Sequence, residues 1–188
     1  MRRLSTVQIT RAALIAALYI VFTMVPPFNA ISYGAVQFRL GEALVLLPFL
    51  LDEAVIGVVV GCLVANLFSP FGLIDVIIGT SVTAAAAILT QHLRRTRRLW
   101  LAAIPPIALN VLIIPVYVST LTLPAATDLH LKYSLAATLR FILAHFSWRI
   151  YVPVALSILV GEAAVVVLLG LPVLALVRHT INPVKEAQ

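Results

Sequence analysis

Charged side chains are scarce in this sequence of 188 residues. Only 11% of the residues are charged, 13 Lys and Arg against 7 Asp and Glu, whereas 62% are hydrophobic. The mean hydropathy is +1.11. A soluble domain of this size needs a much larger polar surface. The composition therefore predicts an integral membrane protein.

Cysteine and the usual metal-binding patterns are also lacking. Cys62 is the single cysteine and lies within an apolar run, so the chain cannot form an intramolecular disulfide or a cysteine-based zinc cluster. None of the four histidines pairs with another at metal-ligand spacing; they are His92, His130, His145 and His179. We expect no metal site.

Signature motifs of enzymes are missing as well. The sequence has no Gly-x-x-x-x-Gly-Lys-Ser/Thr phosphate loop, no His-Glu-x-x-His and no Gly-x-Ser-x-Gly. We therefore expect no catalytic residues, no cofactor and no hydrolysis of ATP by this chain.

Six apolar segments are close to the roughly 20 residues that a membrane-spanning helix needs. They predict a single membrane domain over 1–188, all-α, with spans at 10–28, 35–51, 54–68, 74–93, 99–121 and 152–177. The segment 129–147 has apolar residues at helical spacing and predicts an amphipathic outer helix. Such a helix either lies among the lipid headgroups or covers a site as a lid.

The basic residues indicate the orientation of the domain, because cytoplasmic loops collect Lys and Arg. With both termini in the cytoplasm, most of the 13 basic residues fall on the cytoplasmic side: Arg2, Arg3, Arg11, Arg94, Arg95, Arg97, Arg98, Arg178 and Lys185. They flank apolar segments and form no broad patch, so we expect a multi-pass protein of the cell membrane that has the lipid bilayer, and no nucleic acid, as a partner.

Arg39 and Glu42 lie three residues apart at the start of the second predicted span. On a helix they would share one face. Charge at membrane depth is costly and usually faces a bundle interior or a wet cavity. The pair is either part of a binding site or a salt bridge that only joins two helices.

Further polar residues fall at membrane depth or at the outer ends of the predicted spans. Together with the pair they form one candidate site for a small, flat, polar ligand: Gln37, Arg39, Glu42, Asn66, Asp75, Asn110 and Glu162, with the aromatic residues Tyr33, Phe38 and Phe71 nearby. Carboxylates and amides can bind the polar edge of a heterocycle, and aromatic rings can stack on it. Asn66 and Asp75 can also serve as helix caps or stabilise the turn between their spans.

Small residues recur every four positions in two of the spans. Gly57, Gly61 and Ala65 predict close packing between helices of the same chain. In the first span the small residues are Ala12, Ala13, Ala16 and Ala17. This stripe fits either internal packing or contact with another protein.

Two long motifs resemble a known family. VQFRLGEAL at Val36–Leu44 and GCLVANLFSPFGLIDVIIGT at Gly61–Thr80 are similar to the queuosine-precursor (QueT-type) substrate-binding S components of energy-coupling factor (ECF) transporters. The pair Gly161-Glu162 and the run Gly170-Leu171-Pro172 resemble the end of such chains.

The resemblance implies a six-helix protein that captures a 7-deazaguanine-type compound outside the cell. It also implies two kinds of protein partner, a transmembrane coupling (T) component and two cytoplasmic ABC ATPases. The resemblance further implies that the alanine stripe of the first helix is the docking surface for these partners. Three alternatives stay open: an S component for another vitamin-like compound, an ion-coupled carrier or membrane enzyme that uses Glu42 and Glu162 as a relay, and a purely structural membrane scaffold.

Overall fold

The computed structural model of the chain describes residues 4–25, 32, 37–126 and 132–186, and every regular element within them is helical. The helices are α1 (Thr6–Met24), a 3₁₀-helix (Leu40–Phe49), α2 (Ala54–Asn66), α3 (Thr80–Leu93), α4 (Ile104–Leu121), α5 (Leu135–His145), α6 (Trp148–Val165) and α7 (Leu171–Glu186). A π-helical turn at Asp75–Gly79 leads into α3, and another at Val166–Gly170 joins α6 to α7. The predicted all-helical class is confirmed.

Four continuous helical segments are long and apolar enough to cross a membrane: Thr6–Met24, Asp75–Thr96, Leu99–Leu121 and Trp148–Ile181. Three apolar helices are shorter: Leu40–Phe49, Ala54–Asn66 and Leu135–His145. The chain is thus a multi-pass membrane protein, whereas the count of six spans and the cytoplasmic termini stay predictions. The last segment begins before the predicted residue 152 and has 34 residues. At 1.5 Å per residue it is about 51 Å long, which exceeds a hydrocarbon core of about 30 Å.

The predicted second span is a 3₁₀-helix at the centre of the bundle. All residues from Gly41 to Phe49 are buried, because α1, α2, α3 and α7 surround this helix. Its all-round apolar character fits such a central position. With a rise of about 2.0 Å per residue, ten residues cover about 20 Å. Glu42 is the acidic residue of its first turn, where the positive end of the helix dipole favours a negative charge.

Close contact between α1 and α2 depends on two glycines. A Cβ atom at Gly57 would lie 2.7 Å from the Ala12 carbonyl oxygen, and one at Gly61 would lie 2.9 Å from the Ala16 carbonyl oxygen. A larger residue at either position would push the helices apart. The predicted packing of these glycines within the chain is confirmed.

Because of this contact, the four alanines of the stripe in α1 differ in exposure. Ala12 and Ala16 face α2 and are buried, whereas Ala13 and Ala17 are exposed. Ala12, Ala13 and Ala16 also line a surface groove between α1 and α2.

Two ion pairs lie at the end of the bundle that carries the start of α1. Arg11 Nη1 is 3.3 Å from Glu53 Oε1, and Arg94 Nη2 pairs with Asp52. The turn between the 3₁₀-helix and α2 therefore meets the basic residues that we assign to the cytoplasmic side.

Helix α5 packs against the bundle along one face. Thr138 and Ile142 are buried, whereas Leu143 is 83% exposed. The chain just before α5 also touches the turn after α2, where a Cβ atom at Gly72 would lie 2.4 Å from the Lys132 carbonyl oxygen. Residues 129–131 of the predicted outer helix lie outside the described residues, and its role as a lid or an interfacial helix stays open.

Candidate functional site

Arg39 forms a buried ion pair with Asp75. Arg39 Nη2 lies 3.1 Å from Asp75 Oδ2, and the side chains are 9% and 0% exposed. Arg39 has extended backbone angles, φ −84° and ψ 90°, and directly precedes the 3₁₀-helix. The helix face predicted for Arg39 and Glu42 together therefore does not form. The ion pair instead links the entry of the 3₁₀-helix to the π-helical turn before α3.

The carboxylate of Asp75 is bound by two further donors. The hydroxyls of Ser69 and Tyr117 each donate to it at 2.5 Å. With Arg39 these donors engage both oxygens of the carboxylate. Asp75 thus holds three parts of the chain together and has little capacity left for a ligand.

Asn66 supports the same turn. Its Nδ2 donates to the Asp75 carbonyl oxygen at 3.0 Å and to Thr80 Oγ1 at 3.2 Å. A Cβ atom at Gly79 would lie 3.1 Å from this nitrogen and 2.5 Å from Asp75 Oδ1. Asn66 is therefore bound internally to the start of the next segment.

Glu42 has one bound and one unbound oxygen. The Tyr19 hydroxyl donates to Oε1 at 2.5 Å. The side chain is 1% exposed, and Oε2 has no hydrogen-bond partner within the part of the chain that the structure describes. A buried acceptor without a donor is costly. The side chains of Asn110 and Thr83 lie near this carboxyl, and Glu42 itself does not line the cavity at the Glu162 side of the cluster.

Asn110 and Glu162 connect α4 to α6. Asn110 Nδ2 donates to Glu162 Oε1 at 2.9 Å, and both residues are buried, at 7% and 5% exposure. Glu162 is close enough to Glu42 for the two carboxyls to interact electrostatically. The sequence-predicted polar residues thus form one connected cluster with Asp75 at one side and Glu162 at the other.

A small cavity lies at the Glu162 side of this cluster. Four predicted residues and two isoleucines line it: Gln37, Arg39, Asn110, Ile114, Ile158 and Glu162. Its volume is about 10 Å³, roughly the space of one water molecule. Gly161 permits this closure, because a Cβ atom there would lie 2.3 Å from the Gln37 carbonyl oxygen. The segment 37–39 therefore lies directly against α6.

The predicted aromatic residues are less central. Phe71 is buried and packs edge-to-face on Tyr117, with ring centroids 6.0 Å apart. Phe38 is half-buried, and neither ring lines the cavity. Tyr33 lies outside the described residues. The aromatic residues that do bind the carboxylates are Tyr19 and Tyr117, and no local sequence signal connects them to these acids, which are 23 and 42 positions away.

Within the described residues there is no group of three or more His, Cys, Asp or Glu side chains that could hold a metal ion. The donors and acceptors found here fit a polar organic molecule instead.

The chain is a multi-pass helical membrane protein, and buried polar groups in such proteins usually mark a pathway or a binding site. Residues 9–179 match the family model of the QueT transporter, and the chain belongs to this family. The resemblance inferred from the two motifs is confirmed. Because the family consists of transporters, membership agrees with the expectation that the chain is not an enzyme.

One curated relative is the queuosine precursor transporter QueT of Lactococcus lactis subsp. cremoris (strain MG1363). The two proteins are 42% identical over 79 residues, which cover 42% of this chain and 46% of that relative. The match thus spans about half the length of the relative. No solved structure matches the chain.

Proposed function

We propose that this chain is the substrate-binding S component of an ECF-type importer. It captures a queuosine precursor of the 7-deazaguanine type at the outer side of the membrane. A transmembrane T component and two cytoplasmic ABC ATPases then drive uptake with ATP. Membership of the QueT family and the name of the Lactococcus relative, a queuosine precursor transporter, support this substrate.

The observation that carries the proposal is the cavity lined by Gln37, Arg39, Asn110 and Glu162. A guanine-like edge presents an N–H, an amino group and a carbonyl oxygen. Carboxylates and amide oxygens accept from the first two, and a guanidinium or amide nitrogen donates to the third. The four side chains supply both kinds of partner on one buried surface.

The ligand enters only when the cavity enlarges, because about 10 Å³ does not hold a bicyclic ring. The segment 37–39 is the part of the wall that lacks helical hydrogen bonds. We therefore expect this segment to move away from Gly161 on binding.

The exposed alanines of α1 support the proposed docking of the T component. Ala13 and Ala17 present a flat surface along one helix, and small residues allow a second helix to approach closely in lipid. Ala12 and Ala16 pack against α2, and this contact supports the proposed docking surface.

Mass spectrometry of the ligand retained by the purified protein tests the substrate. We expect a 7-deazaguanine compound, and calorimetry with the same compound should give saturable binding. A different vitamin-like compound would assign the chain to another specificity within the same machinery. Uptake that persists without the ATPases and collapses with the proton gradient would show a carrier that uses Glu42 and Glu162 as a relay.

A further inference from the structure

An apolar groove runs along the bundle between α1 and α7. Both helices pack against the central 3₁₀-helix, whose Leu44 and Leu47 form the floor of the groove and are buried. Leu14 of α1 and Leu176 of α7 line its two sides and are 59% and 67% exposed. The groove has a volume of about 390 Å³. It is therefore open to whatever surrounds the bundle, which for a membrane protein is lipid.

The polar residues of the groove lie at one of its ends. The α1 residues that line it share one helix face: Arg11, Leu14, Ile15 and Leu18. From Arg11 to Leu18 this face extends about 10 Å along the axis, at 1.5 Å per residue. Thr180 lines the groove near the end of α7, at the same end of the bundle as Arg11. The groove thus changes from polar to apolar along its length.

The polar end of the groove is also the basic end of the bundle. Arg11 Nη1 bonds to Glu53, but the Arg11 side chain remains 52% exposed. A guanidinium has five N–H donors, so one bond to a carboxylate leaves it able to bind a second anion. Among the side chains that the structure describes at this end, arginines outnumber acids: Arg11, Arg94, Arg95, Arg97, Arg98 and Arg178 against Asp52 and Glu53.

A phospholipid has the same change of polarity, from a charged phosphate to an apolar chain. An acyl chain in the groove would supply the dispersion contacts that an empty groove lacks. Arg binds phosphate with strong, charge-assisted hydrogen bonds, and basic residues at a membrane surface favour anionic lipids. An apolar helix of a partner protein would fill the groove but would offer no anion to Arg11.

We propose that this groove binds one anionic phospholipid, with an acyl chain between α1 and α7 and the headgroup phosphate at Arg11. In the orientation that we assign to the chain, this lipid belongs to the cytoplasmic leaflet. The site is separate from the buried polar cluster, so the inference does not depend on which molecule the protein transports.

Native mass spectrometry of the full-length protein in detergent tests the site. The protein is titrated with phosphatidylglycerol and with phosphatidylcholine that carry identical acyl chains. We expect one saturable phosphatidylglycerol, bound about fivefold more tightly than phosphatidylcholine, the effect of one basic residue close to an anionic headgroup.

A bulky residue in the groove tests the position of the acyl chain. Leu18 lines the groove and is 36% exposed, so Leu18→Trp should occupy part of it and weaken both lipids several-fold. Val60→Trp is the matched control. Val60 is 44% exposed and lines a second apolar groove, between α1 and α2, that has no charged residue in its lining. This variant should bind both lipids normally.

The double variant Arg11→Gln/Glu53→Gln tests the position of the headgroup. It removes both charges of the ion pair, so no buried carboxylate is left unpaired. The preference for phosphatidylglycerol should disappear, while the affinity for phosphatidylcholine changes little. Arg98→Gln removes an exposed charge that does not line the groove, and it should keep the preference.

Equal affinity of the two lipids for the unchanged protein, or a preference that persists in the Arg11 double variant, would overturn the inference. Equal effects of Leu18→Trp and Val60→Trp would also overturn it, because the lipid would then bind no particular groove. Unchanged lipid binding by Leu18→Trp, together with weaker co-purification of a T component, would assign the groove to a partner helix instead. If the double variant does not fold, the two lipids and the two tryptophan variants decide.

Discussion

Arg39 and Asp75 are 36 positions apart in the chain, and their side chains meet at 3.1 Å in the interior of the bundle. This ion pair fixes the entry of the central 3₁₀-helix against the start of the α3 segment. The same ion pair holds the charged guanidinium of Arg39, which lines the cavity.

Asp75→Asn should destabilise the protein strongly. It leaves the Arg39 guanidinium buried without its carboxylate, and breaking a buried ion pair costs about 3–5 kcal/mol. Thermal unfolding in detergent should show a large fall in the melting temperature. In the double variant Arg39→Gln/Asp75→Asn the loss should be clearly smaller than the sum of the single losses. Additive losses would show that the two side chains contribute independently.

Glu42→Gln should weaken ligand binding. The change keeps the shape of the side chain but removes its negative charge, and a hydrogen bond to a charged group is worth about 1.5–3 kcal/mol. This corresponds to about one to two decades in affinity by calorimetry. The control is Tyr19→Phe, which removes the donor to Oε1 and leaves the carboxyl in place. Unchanged affinity together with lower thermal stability in Glu42→Gln would assign Glu42 a structural role only.

Gly161→Ala should impair binding by displacing the cavity wall. The added methyl group would lie 2.3 Å from the Gln37 carbonyl oxygen, so the segment 37–39 must shift. Overpacking of this kind costs about 1–3 kcal/mol, and calorimetry should show a loss of affinity. At Gly170 the nearest atom to an added methyl group is the flexible end of Leu46, at 2.8 Å. Gly170→Ala therefore serves as the control and should bind normally; equal losses in both variants would argue against a specific role of the 37–39 contact.

Ala13→Trp should separate ligand capture from transport. Ala13 is exposed, so the larger side chain leaves the fold and the polar site intact but blocks close approach of a partner helix. Ligand binding should persist in detergent. Uptake in cells that supply the T component and the ATPases should fall, together with co-purification of these partners.

The control for this surface is Leu168→Trp, at a position that is 69% exposed on the turn between α6 and α7. It should transport normally. Normal transport by Ala13→Trp, or loss of ligand binding in step with uptake, would remove the docking role from α1.

The helices show most clearly which features the sequence predicts and which it does not. Hydropathy located the four long apolar segments that the structure describes, because lipid requires long runs of apolar residues whatever their arrangement. It did not distinguish an α-helix from the 3₁₀-helix at Leu40–Phe49, since both have nearly the same composition. Other helices surround this segment, and Pro48 near its end has no N–H to donate to a helical hydrogen bond.

The sequence alone determined the membrane class, the two family motifs and the polar residues that are too costly to lie in lipid. Tertiary structure decided which of them meet. The helical i, i+3 rule suggested Arg39 with Glu42, yet Arg39 binds Asp75, and Asn110 binds Glu162 from 52 positions away. Local periodicity specifies the faces of one helix, whereas partners on different helices depend on how the helices pack. For the same reason the sequence showed four alanines on α1, and only packing against α2 divided them into a buried and an exposed pair.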